Sequence, residues 1–403
     1  MDYVMFGWWL AIPALAFVAV ELLARAAIRR QGRYYVMPPG LRLRLHPDPD
    51  VFPQLERVTR FDVNSDGERG DEVPASGDVY RVLVAGGSQP EGFLLDQDTA
   101  WPGALQRLLE TPERRRALGA SRVHVGSIAR SGVGSEALDL ILRRILPRYP
   151  RLDLLVIMVG ATDVLRWLEQ GATPSTTPVR IADVFRCHPE STFGWTPRRL
   201  AVAEAVRRTR RRWLRPVEVH ARAGRWIGQA RVMRAQATER RSTTPDPTPM
   251  LDRFTRHFGS VLTTAKAHAD RVLVVRQPWF DRDYSAGEAA QMWHGGAGQV
   301  WREQVTSFYS FDVCSRLMAL LDSRVADVAG AHRVEQVDLM PVLDRSLDTY
   351  YDCFHLTPAG ARAIAAVVAA ATIARRMAPM YPASAGVPLR TPERSICVDL
   401  QAS

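Results

Sequence analysis

The chain has 403 residues, 46% of them hydrophobic, and its 53 Lys and Arg against 43 Asp and Glu give a net charge of +10. This length and apolar content predict one large core, with room for a small accessory unit. The positive charge is compatible with a general preference for arginine or with an anionic membrane or substrate. No nucleic-acid-binding motif accompanies it, so nucleic acid is excluded as a predicted partner.

The N-terminal segment is apolar. Residues 3–20 contain no charged side chain, and the apolar run resumes after Glu21. This length reaches the threshold for a membrane-spanning helix. The chain begins Met1-Asp2, whereas a cleaved signal peptide would begin with basic residues. The sequence therefore predicts an uncleaved transmembrane anchor at residues 3–27, with a buried hydrophobic helix as the alternative.

Residues 28–79 have the pattern of an extended connector, with turn signals such as Pro38-Pro39-Gly40. Beyond them, short apolar runs typical of buried strands alternate with amphipathic helical patterns. The runs lie at residues 82–85, 123–128, 154–159, 272–275 and 334–339. Near-continuous apolar strands that alternate with helices predict a parallel sheet covered on both faces.

The helical patterns are interrupted by an insertion at about residues 165–250. It contains an arginine-rich amphipathic stretch from Arg198 to Arg215. This stretch predicts either a helix that lies on anionic lipid or a solvated lid over the active site. The core resumes after the insertion, and its last helix is predicted to begin at Thr357-Pro358. Residues 379–403, rich in proline, are predicted to form a loose tail.

Two separated segments carry residues with a chemical pattern. Ser88 follows a predicted strand on a glycine-flanked turn, at the strand end where open α/β sheets bind ligands. Asp352 and His355 are three residues apart, just before the last helix. Together they predict a nucleophile, a base that accepts its proton and a carboxylate that orients the base. This mechanism requires no cofactor and no metal ion.

Four segments, taken in order, resemble the blocks of the SGNH/GDSL hydrolase superfamily. Gly86-Gly87-Ser88 lies where the family has Gly-Asp-Ser, and Gly132 lies at the glycine of the second block. Gly160-Ala161-Thr162-Asp163 corresponds to Gly-x-Asn-Asp, and Asp352-x-x-His355 matches the last block. The resemblance implies a flavodoxin-like three-layer α/β/α fold with a five-stranded parallel sheet, formed by residues 80–378.

The same resemblance implies a serine esterase that acts on O-acyl esters of a glycan, lipid or small metabolite. Its oxyanion hole would consist of the Ser88 and Gly132 N–H groups and the Thr162 side chain. Thr162 replaces the family's asparagine, so one hydroxyl donor stands where two amide protons are expected. A non-catalytic binding or assembly protein, or an acyl-transferring enzyme, therefore remains an alternative.

Two further expectations concern the membrane. Residues 61–70 look like the Asn-Ser-x-Gly-x-Arg-Gly stretch that precedes the core in membrane-anchored relatives, although an ordinary turn-rich linker has a similar composition. Asp2 precedes the apolar segment, and four arginines follow it, Arg25, Arg29, Arg30 and Arg33. The positive-inside rule then favours a catalytic domain in the cytoplasm. Many anchored relatives work outside the cytoplasm. The sequence thus predicts a single-pass membrane protein and leaves the side of its catalytic domain open.

Overall fold

The computed structural model describes residues 2–30, 35–75, 77–173, 177–180, 184–185, 200–213, 215–220 and 222–374. The predicted C-terminal tail at residues 379–403 and parts of the predicted insertion lie outside this description. The strands follow in chain order: β1 (Arg42–His46), β2 (Thr59–Asp62), β3 (Val79–Gly86), β4 (Arg122–Ser127), β5 (Leu152–Met158), β6 (Val217–His220), β7 (Glu239–Arg241), β8 (Ala269–Val275), β9 (Ser307–Tyr309) and β10 (Glu335–Val337).

The helices connect and cover these strands. They are α1 (Asp2–Arg30), α2 (Ser88–Glu91), α3 (Trp101–Leu109), α4 (Pro112–Leu118), α5 (Ser135–Ile145), α6 (Ala161–Glu169), α7 (Ala201–Trp213), α8 (Arg222–Ala235), α9 (Thr248–His268), α10 (Ala286–Ala289), α11 (Phe311–Ala331) and α12 (Pro358–Ala374), with a 3₁₀ turn at Leu146–Arg148.

The central sheet has five parallel strands in the order β10-β8-β5-β3-β4. Counted along the chain this is the order 2-1-3-4-5 of flavodoxin-like sheets. The middle strands are buried on both faces because their sequences are almost continuously apolar, as in the run from Leu154 to Met158. The prediction of a five-stranded parallel sheet is confirmed.

Helices pack on both faces of this sheet. On one face α9 contacts α5, α6 and α11, whereas on the other face α12 packs against α3 and α4. The last helix begins where the sequence predicts, since the Thr357 hydroxyl accepts a hydrogen bond of 3.2 Å from the Gly360 N–H. The carboxyl ends of β3, β4 and β5 therefore open between two helical layers.

The predicted connector at residues 28–79 has more regular structure than its turn-rich sequence suggested. It contains β1 and β2, which pair antiparallel, and β1 also pairs in parallel with β6 of the predicted insertion. Leu43, Leu45 and Phe61 on these strands are buried in the main core. The small sheet therefore packs on the α/β core, because every second side chain of β1 and β2 is buried.

The predicted anchor is helical but is not supported as a membrane span. Among the residues that the structure describes, no helix is long and apolar enough to cross a membrane. The charged residue Glu21 lies within α1 and contacts another part of the chain. Its carboxylate accepts hydrogen bonds from the backbone N–H groups of Ala201 (2.9 Å) and Val202 (3.0 Å), at the start of α7.

Candidate active site

Ser88 stands on a tight turn at the carboxyl end of β3. Glycine is required at Gly86, because a Cβ there would lie 1.9 Å from the carbonyl oxygen of Met158 on β5. The Gly87 N–H donates a hydrogen bond of 3.2 Å to that same oxygen. The turn is thus held against β5, and Ser88 becomes the first residue of α2. The serine lies where the strand order of the sheet reverses.

The structure brings Ser88, His355 and Asp352 into one hydrogen-bonded row. The Nε2 atom of His355 lies 2.9 Å from the Ser88 Oγ. The Nδ1 atom of His355 lies 2.8 Å from Oδ2 and 3.0 Å from Oδ1 of Asp352. These distances allow the Ser88 hydroxyl to donate to Nε2 while the Nδ1–H donates to the carboxylate. The three residues are 267 positions apart at their extremes.

Asp352 is fully buried and is surrounded by donors. Its Oδ1 accepts hydrogen bonds from the backbone N–H groups of Phe354 (2.9 Å) and His355 (2.8 Å). Burial by itself raises the pKa of this carboxyl group, but the positive charge of His355 and the hydrogen bonds from His355 outweigh it. The net pKa lies well below its ordinary value, so Asp352 stays ionised at neutral pH.

The electrostatics of His355 follow from the same contact. Burial lowers the pKa of its imidazole, but the facing Asp352 carboxylate raises it by charge and by hydrogen bonding, and Glu91 adds to this. The net pKa is raised above 6.5. The ring of Tyr351 stacks on the imidazole with 5.5 Å between ring centroids. The base is therefore held in one orientation and strengthened as a proton acceptor.

A tryptophan that sequence reasoning missed completes this row. The Nε1–H of Trp293 donates a hydrogen bond of 2.9 Å to Oδ2 of Asp352. Trp293 is buried and lies in the loop between α10 and β9, 59 residues before the aspartate. No spacing or motif in the sequence connects the two positions. Only the tertiary fold places the indole next to the carboxylate.

The other predicted oxyanion residues lie at the ends of the two strands that flank β3. Gly132 follows β4 with a left-handed φ of 75° and is exposed, and a Cβ there would touch nothing within 4 Å. Thr162 is the second residue of α6, and its Oγ1 lies 3.6 Å from where a Gly87 Cβ would be. Both residues therefore border the Ser88 turn. Their role as oxyanion donors stays a prediction.

Asp163, next to Thr162, joins the two loops that carry these residues. Its Oδ1 and Oδ2 accept hydrogen bonds of 3.1 and 3.0 Å from the Ser135 N–H, and Oδ1 also accepts one of 2.7 Å from the Ser135 hydroxyl. Burial raises the pKa of Asp163, although the hydrogen bonds from Ser135 oppose the shift. The residue thus connects the start of α6 to the start of α5. Asp163 therefore has a structural role at this edge of the sheet.

The short helix α2 is fixed from both sides by its own polar residues. The Gln89 Nε2–H donates to the carbonyl oxygen of Phe354 at 2.6 Å, which ties the nucleophile turn to the histidine loop. Glu91 is buried, and its Oε2 accepts hydrogen bonds from the Ser131 N–H (2.8 Å) and from the Ser131 hydroxyl. The same helix therefore positions the loop that ends at Gly132.

Arg69, from the segment at residues 61–70, holds the chain after α2. Its buried guanidinium donates hydrogen bonds to the carbonyl oxygens of Glu91, Gly92 (2.9 Å) and Leu95 (2.7 Å). Its backbone also bridges to Ser127 at the end of β4. Burial lowers the pKa of Arg69 to about 10, which still leaves it cationic at neutral pH. This segment therefore supports the active-site loops.

One group of possible metal ligands overlaps the triad. Donor atoms of His294, Asp352 and His355 lie within 4.8 Å of one another. However, both Asp352 oxygens and both His355 ring nitrogens already take part in the hydrogen-bonded row. Burial lowers the pKa of His294 to about 3, so this imidazole is neutral. The geometry therefore suits proton transfer from Ser88 better than coordination of an ion.

No protein-family profile and no curated protein sequence matches the chain. Among solved structures, an acetylxylan esterase from Geobacillus stearothermophilus is similar with a TM-score of 0.38 and 12% identity, covering 73% of this chain and 94% of that chain.

Two further solved structures are similar at the same level. A member of the lipolytic protein G-D-S-L family from Veillonella parvula has a TM-score of 0.39 and 8% identity, covering 74% of this chain and 99% of that chain. An α/β hydrolase enzyme from the metagenome of Lake Arreo, Spain, has a TM-score of 0.36 and 14% identity, covering 73% of this chain and 94% of that chain. The chemistry proposed below therefore depends on the geometry of the chain's own residues.

Proposed function

We propose that this protein is an SGNH-type serine esterase that hydrolyses O-acyl esters through an acyl-Ser88 intermediate. The observation that carries the proposal is the row Asp352–His355–Ser88, with contacts of 2.8 and 2.9 Å, at the carboxyl end of a parallel strand. In acyl transfer, a buried and ionised carboxylate orients the histidine. The histidine accepts the proton of the serine hydroxyl as the serine attacks the ester. The ester would belong to a glycan, a lipid or a small metabolite.

The reaction follows from the positions of these groups. His355 Nε2 accepts the Ser88 hydroxyl proton while Oγ attacks the ester carbonyl carbon, and the carbonyl oxygen becomes an oxyanion. The tetrahedral intermediate collapses as the imidazolium returns its proton to the leaving alcohol oxygen, which leaves the acyl group on Ser88. Water, deprotonated by His355, then attacks the acyl-enzyme, and release of the acid restores the serine.

The oxyanion of this intermediate needs donors on the opposite side of Ser88 from His355. We assign them to the N–H groups of Ser88 and Gly132 and to the Thr162 hydroxyl. Exposed Gly132 leaves open space beside its backbone, and Thr162 borders the turn before Ser88. Hydrogen-bond donors fixed before the reaction stabilise the developing charge without reorganisation. Thr162 should stabilise the oxyanion less than an asparagine would, since threonine offers a single donor.

The test is hydrolysis of p-nitrophenyl acetate by the full chain beside Ser88→Ala and His355→Ala. We expect both variants to lose nearly all activity, because each removes one partner of the proton transfer and leaves only the contribution of the oxyanion donors and of binding. Ser323→Ala, at an exposed position on α11, is the matched control and should retain full activity. If wild-type turnover equals that of Ser88→Ala over a series of acyl lengths, the esterase proposal fails.

An acyl-transferring or non-catalytic protein is the alternative, and Thr162 is the observation that favours it. If Thr162→Asn creates Ser88-dependent turnover in a chain that otherwise has none, the fold is that of a hydrolase with a weakened oxyanion hole. If product appears only when a sugar or other alcohol acceptor is added, the acyl group is transferred to a hydroxyl instead of to water.

We also propose that α1 and α7 attach the protein to an anionic lipid surface. Several large apolar side chains on α1 are exposed, among them Leu15, Phe17 and Leu23, and exposed Val206 on α7 adds to them. Arginines accompany this surface, and a helix with apolar and basic faces binds lipid headgroups at the interface. Sedimentation with phosphatidylglycerol vesicles, but not with phosphatidylcholine vesicles, is the expected result, and equal recovery from both would contradict it.

A further inference from the structure

A cleft lies beside the proposed oxyanion donors and is not used by the mechanism above. It has a volume of about 380 Å³ and is lined by the start of α5, by the length of α6 and by the start of α9. Thr162 and Gly134 line it, and the Thr162 Oγ1 lies 3.6 Å from where a Gly87 Cβ would be, beside the Ser88 turn. Clefts of this volume are typical of sites for small ligands. An ester held by Ser88 could therefore extend one of its substituents into this space.

The position of the cleft relative to His355 restricts what enters it. The helices α5, α6 and α9 belong to one face of the sheet, whereas His355 precedes α12, which packs on the opposite face. The leaving oxygen must stay near His355, since the imidazole returns its proton there. The cleft thus receives a part of the substrate that lies away from the bond that breaks.

The lining of the cleft carries more positive than negative charge. Arg166, Arg253 and Arg256 contribute three guanidinium groups, against the carboxyl groups of Glu136 and Asp163. Glu136 is already engaged, since its Oε2 accepts a hydrogen bond of 2.6 Å from Arg253. Asp163 is engaged by Ser135, as described above. The exposed Arg256 lies on α9.

One of these arginines also contacts the proposed oxyanion loop. The Arg166 Nη2–H donates a hydrogen bond of 2.7 Å to the carbonyl oxygen of Gly132. Its guanidinium has further N–H groups, because arginine offers five donors in a planar fork. A ligand anion in the cleft would therefore touch the same side chain that supports the loop of Gly132. Arg166 would therefore take part both in binding the anion and in holding the loop of Gly132.

We propose that this cleft binds a carboxylate or another anionic group of the substrate, so that the enzyme selects esters that carry a negative charge away from the scissile bond. Arg256 and Arg253 would bind the anion, and Arg166 would connect it to the Gly132 loop. Guanidinium groups bind planar anions with two parallel hydrogen bonds. The apolar walls formed by Trp167 and Met250 would strengthen these contacts by excluding water. This inference rests on the proposed esterase function.

The test compares matched neutral and anionic esters. Para-acetoxybenzoate and its methyl ester place the charge on the alcohol half, and phenyl hydrogen succinate and its methyl ester place it on the acyl half. We expect the anionic member of one pair to have the higher kcat/KM in the wild type. The pair that shows the preference identifies which half of the substrate enters the cleft. Equal or lower values for both anionic esters would overturn the proposal.

Variants of Arg256 test whether the preference for anionic esters arises in the cleft. We expect the ratio of kcat/KM for the anionic and neutral esters to fall about 10- to 100-fold in Arg256→Gln, because a hydrogen bond to a charged group is lost. Arg256→Glu should lower the ratio further. Arg362→Gln, at an exposed position on α12, removes the same charge elsewhere and should leave the ratio unchanged. A structural defect would lower both rates together and leave the ratio intact, which would count against the proposal.

A binding measurement separates this inference from the esterase proposal. Ser88→Ala, which cannot form the acyl-enzyme, is titrated with monomethyl succinate and with dimethyl succinate. Binding of the anion that weakens about 10-fold or more in Ser88→Ala/Arg256→Gln supports the cleft, even if no ester is hydrolysed. If wild-type turnover depends on Ser88 but neither ligand binds preferentially, the esterase proposal stands and the anionic cleft does not.

Discussion

Four N–H groups converge on the carboxylate of Asp352, and this convergence explains the electrostatics of the proposed active site. Two are backbone groups from the residues that follow it, one is the His355 Nδ1–H and one is the Trp293 Nε1–H. Together with the charge of His355 they keep the buried carboxyl group ionised, with its pKa below the ordinary value. An ionised Asp352 in turn raises the pKa of His355.

The raised pKa of His355 predicts the acid limb of the pH profile. The imidazole must be neutral to accept the Ser88 proton, so kcat/KM should fall as the pH drops through a pKa above 6.5. Trp293→Phe removes the indole N–H that hydrogen-bonds to Asp352. The carboxylate then stabilises the protonated imidazole of His355 more strongly, which raises the pKa of His355 further. We expect the acid limb to move to higher pH and kcat/KM at neutral pH to fall, measured with p-nitrophenyl acetate.

The control for this variant is Trp301→Phe, a substitution at an exposed tryptophan. It should leave the inflection of the pH profile where the wild type has it. A shift to lower pH in Trp293→Phe would contradict the assignment of the indole as a donor that withdraws charge from the carboxylate, and an unshifted profile with lower activity would indicate a packing role alone.

Thr162 permits a second test at this scale. Thr162→Val keeps the branched shape and removes only the hydroxyl, so we expect kcat for p-nitrophenyl acetate to fall by roughly 10²–10³-fold, as for loss of one oxyanion donor. Thr162→Ser retains a hydroxyl and should keep most of the turnover. Full activity in Thr162→Val would show that the hydroxyl does not bind the oxyanion.

Among the elements, the segment before β3 acts as a brace for the nucleophile helix. Arg69 donates to the carbonyl groups of Glu91, Gly92 and Leu95, at the end of α2 and just after it. Gln89 and Glu91 on α2 reach the loops of His355 and Gly132. The two loops and α2 are therefore connected through polar contacts that are mostly buried. Buried carbonyl groups that lose their donor cost free energy, because water does not replace it.

This brace predicts a stability effect. Arg69→Met keeps the aliphatic bulk but leaves the carbonyl oxygens of Glu91, Gly92 and Leu95 without their donor. We expect the free energy of unfolding to fall by about 1–3 kcal/mol or more, measured by urea denaturation. Arg57→Met changes an exposed arginine of the same segment and should be neutral. An unchanged midpoint in Arg69→Met would mean that these contacts are not stabilising.

On the scale of the whole molecule, contacts between distant parts of the chain organise what surrounds the α/β core. Strand β1 pairs with β6, with His46 opposite His220, and α1 contacts α7 through Glu21. Glu21 lies 180 residues before Ala201, and its carboxylate accepts a hydrogen bond from the Ala201 N–H. The predicted insertion is therefore attached to the N-terminal part of the chain as well as to the core.

The contact at Glu21 predicts a local effect on α7. Glu21→Ala removes the acceptor for two N–H groups at the start of that helix, where backbone N–H groups have no partner within the helix. Comparable caps contribute about 0.5–2 kcal/mol. Amides at residues 201–204 should exchange faster with deuterium, while those of β3 and β5 keep their rates. Glu113→Ala, at an exposed site on α4, is the control. Unchanged exchange at residues 201–204 would show that Glu21 does not stabilise α7.

The five-stranded sheet could be predicted from the sequence because buried parallel strands need continuous apolar runs, and such runs are local patterns. The candidate triad could be named for a similar reason. Ser88 follows a strand on a glycine turn, and Asp352 and His355 precede a helix start, so resemblance to known blocks was sufficient. The small sheet was missed because residues 28–79 contain short strands, and β1 gains a parallel partner only from β6.

The amino-acid sequence by itself determined the order of strands and helices along the core, since this order depends on local periodicity. Resemblance to short family blocks named Ser88, Asp352 and His355 as candidates. Only the tertiary structure decided which groups surround them. Trp293 reaches Asp352, Arg69 braces α2 and three arginines line one cleft through contacts between residues far apart in the chain. Such contacts leave no periodic trace, because each depends on how separate elements pack in space.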